Sequence, residues 1–238
     1  MTDGQRLQGR IALITGASRG IGAAIARRYA KEGAQVVLVA RTQGALEEID
    51  DEIRADGAAA AILSPMDLTD YAKIDQMGGA IYERFGRLDI LVGNAAILGG
   101  LTPVGHYDPK IWQRVIDVNL TANYRLIRSF DPLLRQSDAG RAIFVTSGVA
   151  EGVHPYWGAY AASKAGLEAM VRTYAGEVTK TPIRVNLVDP GASRTAMRAE
   201  AYPGEDPRTL PEPESIMDTF VDLALPSWRR HGEVVRAS

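Results

Sequence analysis

The sequence predicts an α/β fold, a doubly wound parallel sheet flanked by helices on both faces. Three observations predict it. Short continuous apolar runs alternate with longer stretches of helical periodicity, several of those stretches end on a glycine, and a glycine-rich turn directly follows the first apolar run. A chain of 238 residues with 46% hydrophobic content suffices for one large core, so residues 1–238 read as a single domain.

The predicted strands are "IALIT" (11–15), "VVLVA" (36–40), "AAAAIL" (58–63), "DILVG" (89–93), "AIFVTS" (142–147) and "IRVNLV" (183–188). Buried parallel strands need such unbroken apolar runs because helices cover both faces. Between them, Ile21, Ile25 and Tyr29 make one helical stripe and Leu46, Ile49 and Ile53 another, while Gly33, Gly57 and Gly86 mark helix ends. The acidic cluster "EEIDDE" (47–52) shares its helix with the second stripe and has no histidine, so it reads as a solvated face rather than a metal site. After Pro190 the chain turns polar and carries four of its 12 prolines within 191–215. No single helix can form there, and both a substrate flap around 192–215 and a plain surface excursion fit.

Composition excludes several functions. Lys and Arg number 27 against 29 Asp and Glu, a net charge of −2, which provides no cationic field for nucleic acid. There is no cysteine, and His106, His154 and His231 stand far apart, so neither a disulfide framework nor a metal site is expected. The opening "MTDGQRLQGR" lacks an apolar signal core and no segment reaches 18 uninterrupted apolar residues, so a cytoplasmic protein without membrane contact is expected.

The glycine-rich turn "TGASRGIG" puts Gly16, Gly20 and Gly22 between the first strand and the first helix, where backbone amides and the helix N-terminus can receive a pyrophosphate. At the end of the second strand, where a carboxylate would meet an NAD ribose, stand Ala40, Arg41 and Thr42. Arg41 and Arg19 are suited to a 2'-phosphate, which favours NADP(H) over NAD(H); the alternative is that both face water. Asp67, after the third strand, either accepts from an adenine amino group or caps the helix that begins near Asp70. In "YAASK", Tyr160 and Lys164 fall on one helical face, and the ammonium is expected to pull the phenol below its ordinary pKa of about 10. Ser147 ends the fifth strand on the side where such sheets bind ligands. His154, Tyr156 and Trp157 either line a substrate pocket or pack as aromatics under the loop.

Taken in order, "TGASRGIG" (15–22), Asp67, "GNAA" (93–96), Asn119 in "DVNL", Ser147, "YAASK" and "PGASRT" (190–195) resemble the short-chain dehydrogenase/reductase family over nearly the whole chain. The resemblance implies a single-domain Rossmann fold of seven parallel strands, the last at "GEVV" (232–235). It implies that Tyr160 donates or accepts the proton, Ser147 binds the carbonyl, Lys164 contacts the ribose, and Asn119 holds a water in the proton relay. It also implies a cofactor site of Gly16, Ser18, Arg19, Gly20, Ile21 and Gly22, with Arg41 and Thr42, Asp67 and Leu68, Asn94 and Ala95 beyond them. Tyr160 and Lys164 complete it with Pro190, Gly191 and Thr195, the last beside the diphosphate.

The chain departs from the family in "GNAA", where "NNAG" is usual, and in a tail that stops at "VVRAS", where many relatives continue. A homodimer through the helices of Asn119 and Tyr160 is therefore expected, with a homotetramer still open. The stretch "PGASRTAMRAEAYPGEDP" is similar to a bacterial subgroup of uncharacterised oxidoreductases. The implied activity is NADP(H)-dependent interconversion of a small-molecule carbonyl and a secondary alcohol. The alternatives are a 3-oxoacyl-thioester reductase, with Arg194 and Arg198 meeting an acidic carrier protein, and a non-catalytic NADPH-binding sensor or scaffold.

Overall fold

The computed structural model describes residues 5–237; residues 1–4 of the N-terminal stretch read above, and residue 238 of the tail, lie outside the described residues. Seven strands form one sheet in the order β3-β2-β1-β4-β5-β6-β7, with every neighbouring pair parallel. They are β1 (Ile11–Thr15), β2 (Gln35–Ala40), β3 (Ile62–Pro65), β4 (Ile90–Gly93), β5 (Arg141–Val145), β6 (Arg184–Asp189) and β7 (Val234–Arg236). The third strand begins later than its apolar run suggests. Ala58 to Ala61 are small side chains that add little to a sheet face, and pairing with β2 starts where β-branched Ile62 meets Val37.

Helices cover both faces. On one side lie α1 (Gly20–Lys31), α2 (Gln43–Ala55) and α8 (Met217–Ala224); on the other, α3 (Tyr71–Phe85), α5 (Ala122–Leu134) and α6 (Gly158–Glu177). The shorter α4 (Pro109–Ile116) and α7 (Ala196–Ala201) border the carboxyl ends of the strands. Alternation along β1 divides the core. Ala12 and Ile14 join Tyr29, Leu46 and Phe220, whereas Ile11 and Leu13 join Ile74, Leu126 and Phe130. Each fully buried Leu, Ile or Phe contributes about 1.5–3 kcal/mol, so both layers are needed to hold the sheet flat against its helices.

The predicted glycine stops hold locally. Gly86 caps α3 in the left-handed conformation (φ 70°) with its N–H donating to Tyr82, and Asp70 caps the other end by accepting from Lys73 N. The strand order reverses between β3-β2-β1 and β4-β5-β6-β7, and the crevice between β1 and β4 opens at the strands' carboxyl ends. Among the described residues, no helix is long and apolar enough to cross a membrane.

Candidate active site

A cleft of about 430 Å³ occupies that crevice. One end is built from the β1–α1 turn. Gly16 (φ 66°) crosses so close to the β4 edge that a Cβ would lie 2.9 Å from the Ala95 Cα, and a Cβ on Gly22 would lie 2.2 Å from the Gly16 carbonyl oxygen. These contacts explain why the turn needs glycine. Asn94 holds the turn in place, its Nδ2 donating to Thr15 O at 2.8 Å. The turn delivers the N-terminus of α1 into the cleft with no side-chain cap from Arg19 and no acidic residue in the first turn. Its amide donors and dipole are thus left for an anion, and the residues present fit a dinucleotide diphosphate. Ser18 and Ile21 line the same wall, and Thr195 closes over it, its Cγ2 only 3.3 Å from where a Gly20 Cβ would sit.

Arg19 and Arg41 line this end and are exposed, and among the described residues neither enters a salt bridge. Arg27 and Arg28 on the same helix α1 instead pair with Glu52, Glu214, Glu32 and Asp218. Thr42 does not reach the cleft; it starts α2 without a side-chain cap. Asp67 and Leu68 do line it, and Asp67 does not cap α3. It accepts from Thr69 N at 2.9 Å and from Arg114 Nη2 at 2.6 Å, while Asp70 caps α3. Burial alone would raise the Asp67 carboxyl. The Thr69 N–H, the Arg114 guanidinium and the Thr69 hydroxyl outweigh that and hold it at about 2. Arg114 is a cleft residue that sequence reading missed; 47 positions separate it from Asp67, and no local pattern links the two.

At the other end stand Ser147, Tyr160 and Lys164, with Ala95, Pro190 and Gly191 lining the passage between. Tyr160 is 7% exposed. Lys164 Nζ lies 5.6 Å from the centre of the Tyr160 ring and donates to Val145 O at 2.7 Å. The expected depression of the phenol is not found. Burial pushes Tyr160 up to about 12 against the opposing effect of the Ser147 hydroxyl beside it, with the Asp189 carboxylate adding to the rise. Burial also brings Lys164 down to about 8, because a desolvated site disfavours both charges.

Asn119 does not line the cleft. It is fully buried on a π-helical turn (Asp117–Thr121) between α4 and α5. Its Nδ2 donates to Ile97 O and to Ser163 Oγ, each at 3.0 Å, and its Oδ1 accepts from Ile97 N at 2.9 Å. Asn119 therefore clamps the strand that leaves β4 to helix α6, and Asn123 Nδ2 donates to the Asn119 carbonyl at 2.8 Å. A π-turn in this position is invisible in the sequence. The departure at Gly93 is explained as well: a Cβ there would lie 2.4 Å from both Asn123 Oδ1 and the Phe144 ring, so those side chains fill the space of the usual asparagine.

Of the three residues left open after Ser147, only Trp157 lines the cleft. It packs edge-on against Tyr160, centroids 5.9 Å apart, and Tyr202 tilts against its other side. His154 and Tyr156 are exposed.

The family model for short chain dehydrogenases matches residues 10–206. The chain belongs to the short-chain dehydrogenases. It is an NAD(P)-dependent dehydrogenase/reductase of that family, with the family's seven-stranded parallel sheet. The uncharacterized oxidoreductase YciK of Escherichia coli strain K12 is 38% identical over 219 residues, spanning 91% of this chain and 86% of the relative, in keeping with the bacterial subgroup expected from the Pro190 segment. A solved short chain dehydrogenase from Salmonella enterica serovar Typhi superposes with a TM-score of 0.96 at 37% identity, covering 100% of this chain and 99% of that one. Another, from Escherichia coli CFT073 and complexed with NADPH, has a TM-score of 0.95 at 38% identity, covering 98% of each chain.

Proposed function

We propose that this short-chain dehydrogenase is an NADP(H)-dependent oxidoreductase that interconverts a carbonyl and a secondary alcohol, with Tyr160 transferring the proton. The observation that carries the reading is the join of two unlike ends in one cleft: an uncapped helix N-terminus beside exposed Arg19 and Arg41, and a pair of hydroxyls on Ser147 and Tyr160. The NADPH complex of the E. coli relative supports the choice of nucleotide.

In that reading the first-turn amides of α1 bind the diphosphate and the two arginines take the 2'-phosphate by charge-assisted hydrogen bonds. Bound there, NADP(H) supplies the hydride. Ser147 and Tyr160 donate to the substrate oxygen and stabilise the charge that develops on it. A phenol at about 12 is fully protonated at neutral pH, which is the donor form required for carbonyl reduction. Lys164 fixes the end of β5 through Val145 O and places a cation 5.6 Å from the centre of the phenol ring. Asn119 is a positioning residue that holds the Ile97 backbone at the cleft wall. The flap of residues 192–215, within the single catalytic domain, forms the substrate side.

The 3-oxoacyl-thioester alternative follows from related sequences, with Arg194 and Arg198 expected to face an acidic carrier protein. Both guanidiniums are instead engaged within the flap, by Glu212 and Glu205. The deciding experiment follows oxidation of NADPH, and of NADH in parallel, against ketones, aldehydes and acyl thioesters. Turnover of a simple carbonyl with NADPH supports the proposal, whereas NADPH binding without turnover of any carbonyl would return the sensor reading.

A further inference from the structure

The carbonyl end of the cleft has walls of one chemical kind. Ala96, Trp157, Tyr160, Met197 and Ala201 line it, and they pack in one apolar cluster with Leu98 and Val149, which do not face the cleft. These side chains come from four separate segments: the chain after β4, the turn after β5, α6 with the loop before it, and α7. The apolar character is thus a property of the assembled pocket and not of one hydrophobic run. A pocket so lined selects its ligand by shape and desolvation, with only a few polar groups fixing orientation, here Ser147 and Tyr160.

The charges near this end decide what it refuses. Arg194 lines the cleft, but its Nη1 is held by Glu212, its Nε donates to Pro207 O at 2.7 Å and its Nη2 to Leu210 O. Arg198 forms a two-pronged pair with Glu205, both contacts 2.7 Å, and lies 3.9 Å over the Tyr202 ring. Lys164 donates to Val145 O. The Asp189 carboxylate acts on Tyr160, and a Cβ on Gly148 would lie 3.5 Å from it. An anionic substrate would therefore meet apolar walls, cations that are already paired, and a like charge. Burying an unpaired carboxylate under those conditions is strongly unfavourable.

We infer that the substrate, within the oxidoreductase reading on which this rests, is an uncharged carbonyl compound carrying an alkyl or ring substituent, seated against Ala96, Trp157, Met197 and Ala201. The flap excludes carbonyl acids by keeping Arg194 and Arg198 in ion pairs. Selectivity of this sort works by withholding a partner from the wrong ligand as much as by fitting the right one.

The test uses matched pairs, 2-octanone with 2-oxooctanoate and 4-phenyl-2-butanone with 2-oxo-4-phenylbutanoate, after NADPH binding has been measured by fluorescence. The uncharged member of each pair is expected to have the higher kcat/KM by at least about tenfold. Titrating the protein without cofactor should quench tryptophan fluorescence with the ketones and not with the oxo acids, and Trp157→Phe should abolish the response. The Glu212→Gln and Glu205→Gln double variant, which releases both arginines, should shift the ratio of kcat/KM within each pair toward the oxo acid by at least about threefold. Equal or better turnover of the oxo acids by the unaltered protein overturns the inference and leaves the oxidoreductase reading standing. Failure to bind NADPH, or to reduce any carbonyl, removes both.

Discussion

The two ends of the cleft use arginine in opposite ways. At the nucleotide end Arg19 and Arg41 are exposed beside an uncapped helix terminus; at the carbonyl end Arg194 and Arg198 are paired with Glu212 and Glu205 inside the flap. The same side chain stands open in one place and is a fastening in the other. What separates them is whether the local chain supplies a carboxylate at reach. Segment 192–215 carries Glu205 and Glu212, whereas the β1–α1 turn and the end of β2 carry none. The contrast teaches that the cationic field at a site is set by partners and not by the number of arginines.

Several experiments break or sharpen that comparison. Tyr160→Phe should lower turnover by at least about a hundredfold while leaving NADPH affinity unchanged, because the proton donor belongs to one end alone. An equal loss of NADPH binding would show that the two ends do not act separately. Arg41→Ala should weaken NADPH about tenfold or more, the cost of a charge-assisted contact, and leave NADH unaffected in the same fluorescence titration. If both nucleotides weaken alike, Arg41 does not read the 2'-phosphate.

Two smaller effects concern titration. The folded pKa of Lys164, about 8, lies below its ordinary 10.5, so the unfolded chain binds more protons between those values and the lysine's contribution to stability grows as pH rises through that window. Lys164→Met should lack this rise in thermal midpoint relative to the unaltered protein. The Asp67 carboxyl, at about 2 in the fold against 3.8 ordinarily, contributes stability that is fully present above 3.8 and is lost as pH falls through about 2. Arg114→Met should return Asp67 toward its ordinary value in a carboxyl NMR titration and move acid unfolding to slightly higher pH. The shift is small because Asp67 and Arg114 are each 38% exposed and solvent screens the pair.

Much of the fold could be read from residue order. The run "IALIT" is β1 residue for residue, and the stripes of α1 and α2 put Ile25, Tyr29, Leu46 and Ile53 into the core as their spacing required. The third strand was displaced because alanines count as apolar without having the branched side chains that make a sheet face. Most of the predicted site residues line one cleft, with Thr42 and Asn119 outside it. Asn119 and Lys164 show where local reasoning stopped: spacing placed Lys164 on the face of Tyr160, but not its reach to Val145 O, and nothing in "DVNL" foretold a π-turn.

The sequence by itself determined the βαβ alternation, the glycine turn at the first helix, the absence of a carboxylate after β2, and the tyrosine and lysine one helical turn apart. All of these depend on neighbours a few residues away, where backbone geometry permits little choice. Only the tertiary structure decided which arginines remain open, that Arg114 donates to Asp67, that burial raises the Tyr160 phenol, and that the carbonyl pocket is apolar. Those outcomes depend on charges and solvent brought together from distant segments, and electrostatic energies follow distance and desolvation in space, which the order of residues along a chain does not record.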